Sequence, residues 1–89
     1  MNTSVSDLNG FKLDAMILGS KLRYWLLTLV VDERIYVVGH VSAILINAGI
    51  ENGRTLVENL AGFNVGALVE FSEAISQRPE VFPRLRSLA

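Results

Sequence analysis

The stretch Leu22-Arg23-Tyr24-Trp25-Leu26-Leu27-Thr28-Leu29-Val30-Val31-Asp32-Glu33-Arg34-Ile35-Tyr36-Val37-Val38-Gly39-His40 decides the fold. Two apolar runs flank one polar triplet, Asp32-Glu33-Arg34. Seven of the nineteen residues 24–42 are β-branched: Thr28, Val30, Val31, Ile35, Val37, Val38 and Val41. Such residues suit a pleated, half-buried strand, and a polar triplet between two such runs reads as a hairpin loop. The triplet lacks the glycine that a tight hairpin turn prefers. A helical reading competes. Leu18, Leu22, Trp25 and Leu29 recur at spacings of 4, 3 and 4, and Asp32 would then cap a second helix carrying Ile35, Val38, Ser42 and Leu45. The β-branched density favours the hairpin. The expected fold is therefore α+β, a β-hairpin packed on three short helices, with an all-α helical bundle as the alternative.

Downstream the punctuation is clearer. Val41 to Ala48 reads as a short helix. Gly49 stands where a left-handed C′ residue belongs, and Ile50 supplies the apolar contact that follows it. Asn52 is a candidate cap for a helix over 53–61. Gly62 and Asn64 repeat the stop and the cap before a helix over 65–77. Leu56, Leu60, Phe63, Ala67, Phe71 and Ala74 fall on one stripe, so 53–77 reads equally as one helix with a weak centre. Pro79 ends it, because the residue before a proline is pushed out of the α region.

Upstream, residues 11–18 read as a short helix broken by Gly19-Ser20. Residues 1–10 read as a loose arm with no signal-peptide pattern. The domain organisation is thus an arm over 1–10, one small globular domain over 11–77, and a basic tail over 78–89 that Pro83 keeps extended.

With 89 residues the chain forms one domain. It has no cysteine and a single histidine, which removes disulfides, thiolate metal sites and redox motifs. The absence of cysteine suits the cytoplasm. Charged residues make up 19% of the chain, against about 25% in a usual soluble domain. The chain is therefore unusually apolar, and the excess calls for cover by a second subunit. Its longest uncharged run, Ile35 to Ile50, is shorter than the roughly 20 residues a membrane span needs. Residues 32–77 carry Arg34 and Arg54 against Asp32, Glu33, Glu51, Glu58, Glu70 and Glu73, a net of −4. An acidic body disfavours nucleic acid as the partner.

The chemistry-bearing residues are sparse. His40 has no Ser–Asp or Cys partner at a recognisable spacing. Asp32-Glu33 and the pair Glu70, Glu73 read as solvated carboxylates. Gly62 to Gly66 lacks the Lys-Ser/Thr of a phosphate-binding loop. No catalytic, cofactor-binding or metal-binding residue is assigned, no cofactor is expected, and the chain reads as no enzyme. What remains is binding. Arg78, Phe82, Arg84, Leu85 and Arg86 in the tail, with Trp25 and Tyr36, are the residue types that anchor protein interfaces. They are the candidate partner-binding residues.

The stretch Asp32 to Leu45, followed by Ile50-Glu51-Asn52-Gly53-Arg54-Thr55-Leu56, resembles the N-terminal Bro-N-type domain of phage antirepressors. There a hairpin turn and an aromatic-valine strand lead into a helix, a polar loop and a further helix. His40 stands where that family carries Asp, and Ile46-Asn47-Ala48-Gly49 is longer than its single glycine. The resemblance implies a phage or mobile-element origin and a DNA-binding regulator, which the acidic body opposes. The expectation is a small regulatory protein that binds another protein, as a homodimer.

Overall fold

A computed structural model describes the backbone of residues 3–62 and 64–88, and their side chains from Lys12 onward. The described residues contain helices and no strand. In chain order these are α1 (Thr3–Thr28), α2 (Val31–Asn47), α3 (Gly53–Leu60), α4 (Ala67–Ser76) and α5 (Val81–Arg86). The molecule is elongated, 49 Å along its longest axis. α1 sets that axis, since twenty-six helical residues span about 39 Å.

The β-hairpin expected over 22–40 is absent, and the helical alternative holds. Asp32-Glu33-Arg34 is the first turn of α2, and only Leu29 and Val30 separate it from α1. Two features make this joint. Asp32 and Glu33 place negative charge at the positive end of the α2 dipole. Arg34 reaches back to the end of α1. Its Nε donates to the Leu26 carbonyl at 2.8 Å, and Nη2 donates to the Leu29 carbonyl at 3.0 Å. α1 has no basic residue in its own last turn, so this arginine satisfies carbonyls that helix ends otherwise leave without partners. The β-branched residues did not decide the fold because their helix penalty is only tenths of a kcal/mol each. Val38 and Val41 return more than that by packing in the core.

The break expected at Gly19-Ser20 is also absent, and α1 runs through it. Gly19 is where α1 meets α4. A Cβ there would lie 2.9 Å from Leu68 Cδ1 and 3.3 Å from both Phe71 Cδ2 and Ser72 Oγ. One turn earlier, Ala15 is fully buried and its carbonyl accepts from Ser72 Oγ at 3.4 Å. The glycine serves close helix packing here and not a turn.

α2 ends as its sequence reads. Gly49 adopts φ 93°, the Gly49 N–H donates to the Ile46 carbonyl and the Ile50 N–H to the Leu45 carbonyl, both at 3.0 Å. This is the Schellman pattern. Ile50 buries its side chain behind it. α3 and α4 are two helices, with Asn64 Oδ1 accepting the Gly66 N–H at 3.0 Å between them. Phe63 lies outside the described residues, as do the side chains of the arm expected over 1–10.

The stretch from 78 onward is not extended. Residues 81–86 form α5, with Pro83 in its first turn, where a missing N–H costs nothing. Val81, Phe82 and Leu85 join Leu22, Leu26, Leu45, Leu60, Phe71 and Ile75 in a single core. The globular body thus takes in residues beyond 77.

Candidate protein-binding surface

The candidate partner-binding residues divide into two groups. Phe82 and Leu85 are buried in the core, so they hold α5 on the body and are not offered to a partner. Arg78 donates from Nε to the Ala48 carbonyl at 3.2 Å, which satisfies the end of α2 just as Arg34 satisfies the end of α1. Arg86 lies 3.8 Å from Asp14 and stacks over the Phe82 ring at 5.5 Å, tying α5 to α1. Arg84 is exposed and borders a small hollow with Asn47 and Glu80. The tail therefore acts mainly as an internal brace.

Trp25 and Tyr36 are brought together. They line a hollow of ≈ 400 Å³ at the α1–α2 corner, with Leu29, Val37, Asp32 and Glu33 completing its wall. Trp25 is half-buried. Tyr36 is 75% exposed and stacks on His40, the two rings 3° from parallel with centroids 6.4 Å apart. Trp25 also closes a second hollow along α1, with Tyr24, Lys21, Ser20 and Thr28. Lys21 belongs in turn to a third, with Asp14, Ile17, Leu18 and Arg86. Lys21 and Trp25, each shared by two neighbouring hollows, set the three side by side in one row along α1. Its corner end is acidic and aromatic, and its other end carries Lys21, Arg86 and Asp14.

Overlapping these hollows at Ile17, Ser20 and Tyr24 lies a feature the sequence reading missed. Leu13, Ile17, Ser20, Tyr24 and Leu27 recur on α1 at spacings of 4, 3, 4 and 3. This stripe lies opposite the buried one formed by Ala15, Leu18, Leu22 and Leu26. Leu13 is 61%, Ile17 47% and Tyr24 74% exposed. The signal was present, but it shows only once the helix is read through Gly19-Ser20. On α2, Ile35 and Tyr36 extend the exposed apolar surface.

The described residues hold no group of three His, Asp or Glu side chains placed to bind a metal ion. His40 is exposed, and its ring neighbour is Tyr36. None of the described helices is long and apolar enough to cross a membrane. No family model, no characterised protein and no solved structure matches the chain.

Proposed function

We propose that this chain is a small, non-catalytic regulatory protein that acts in the cytoplasm by binding another protein. The contact is the hollow at the α1–α2 corner. One observation carries the reading: Trp25 and Tyr36, which an extended chain would hold up to about 40 Å apart, fold together around a concave, largely apolar wall bordered by Asp32 and Glu33. Aromatic anchors in a concavity with a charged rim are the usual make-up of an interface hot spot. The acidic rim selects a partner segment that is apolar with a basic flank. Tyr36 contributes little to the protein's own core, so its exposure is free for this role.

A tagged full chain incubated with cell lysate, with and without nuclease, tests the proposal. A protein retained by the native chain after nuclease treatment, and lost with a folded Tyr36→Ala variant, supports it. A catch that disappears on nuclease treatment overturns it in favour of nucleic acid. A protein retained equally by Tyr36→Ala overturns the assignment of the corner hollow.

A further inference from the structure

The α1–α2 corner leaves the outer stripe of α1 unexplained. We propose that this stripe is covered by the same stripe of a second copy, the two α1 helices running antiparallel. The inference rests on the reading of the protein as a binding module, but it uses a different face.

Spacing is the first argument. Leu13, Ile17, Ser20, Tyr24 and Leu27 follow the alternating 4 and 3 repeat of a coiled-coil seam. α1 therefore has two apolar seams on opposite sides, and the protein's own core covers only one of them.

Size complementarity is the second. In the antiparallel register that sets Leu13 against the second copy's Tyr24, Ile17 meets the second copy's Ser20. A large side chain then faces a small one in the central layers, as interdigitated packing requires. A parallel pair would stack Tyr24 on Tyr24 and Ser20 on Ser20.

Charge is the third, and it selects the direction. Asp14 and Lys21 are seven residues apart and so lie on the same flank of the seam. A two-fold axis between antiparallel helices brings each flank against its own counterpart. In the register above, Asp14 comes beside the second copy's Lys21, and Lys21 beside the second copy's Asp14. A parallel pair sets Lys21 beside Met16 and forms neither ion pair. On the opposite flank Arg23 meets Met16 and has no like charge against it. Asp14 already holds Arg86 of its own chain at 3.8 Å, so α5 braces the carboxylate that the second copy's lysine approaches.

The area agrees. Burying the exposed parts of Leu13, Met16, Ile17 and Tyr24 from both copies withdraws on the order of 1,000 Å² from water, the size at which specific interfaces begin.

The test is sedimentation equilibrium of the full chain at micromolar concentrations. A dimer is expected for the native protein. Ile17→Glu is expected to be monomeric with unchanged helical circular dichroism. Asp14→Lys weakens association about tenfold or more by facing lysine with lysine, and Asp14→Lys combined with Lys21→Asp restores it. The chain contains no cysteine, so single-cysteine variants report the direction. An equimolar mixture of Ile17→Cys and Ser20→Cys cross-links between unlike chains if the helices are antiparallel. Efficient cross-linking of Ser20→Cys with itself overturns the antiparallel register. A native monomer at high micromolar concentration overturns the dimer. A monomer that still captures a partner through Tyr36 removes this inference alone. A dimer that captures nothing removes the proposed function and leaves the dimer standing.

Discussion

Along α1, Ala15, Leu18, Leu22 and Leu26 face the core, while Leu13, Ile17, Tyr24 and Leu27 lie on the reverse side of the same helix. The two stripes are alike in hydrophobicity and in period, yet one is nearly inaccessible to water and the other is open. The difference lies in what approaches. On the inner side Ala15 and Gly19 have no bulk, so α4 seats Phe71 and Ser72 against the α1 backbone. The outer side has only Ser20 as a small residue, and it stays exposed. Small residues, more than apolar ones, mark the face that the chain covers by itself.

The largest expected effect tests the inner stripe. Leu22→Ala removes a fully buried side chain from the core and is expected to cost about 2–5 kcal/mol by urea denaturation. A loss below about 1 kcal/mol would contradict the packing described for this face.

Next come the notches. Gly53 sits at the α2–α3 crossing, where a Cβ would lie 2.8 Å from Leu45 Cβ and 3.3 Å from the Ser42 carbonyl oxygen. Neither neighbour is a free end, so Gly53→Ala is expected to cost about 1–3 kcal/mol. At Gly19 the nearest atom is the mobile end of Leu68. Gly19→Ala also gains about 1 kcal/mol of helix propensity, so it comes out milder than Gly53→Ala. The reverse order in thermal or urea melts would show that the two crossings have been ranked wrongly.

The smallest effect belongs to the outer stripe. Leu13→Gln, measured at dilution where chains are single, is expected to change stability by within about 0.5 kcal/mol. A larger loss would mean that Leu13 supports the fold and is not a reserve of open surface.

Much of the second half of the chain was legible. Gly49 and Ile50 stop α2 as their order implies, and Leu56, Leu60, Ala67 and Phe71 form the buried stripe that their spacing predicts. The first half was not, for a definite reason. The runs on either side of Asp32-Glu33-Arg34 are apolar on every face, so neither a period of two nor one of 3.6 stands out. The deciding contact joins an arginine to carbonyls five and eight residues earlier, and no hydrophobicity pattern records it. The candidate site was legible by residue type and only in part by place. Trp25 and Tyr36 do meet in one hollow. Phe82 and Leu85 have the chemistry of interface anchors and serve the core, since burying an apolar side chain is favourable in either setting.

The pairing of α1 with α4 bears on how the chain reaches its folded state. α1 packs chiefly on α4, some fifty positions further along, while α2 and α3 are neighbours in sequence and pack on each other. Local contacts form early and distant ones late, because the longer loop must be closed first. The α2–α3 pair can therefore assemble while α1 still shows water both of its apolar stripes. α5 follows α4 in the chain and adds Val81, Phe82 and Leu85 to the same core. During synthesis, until α4 has emerged, α1 has nothing to cover its inner stripe, and transiently exposed apolar surface of this kind favours aggregation.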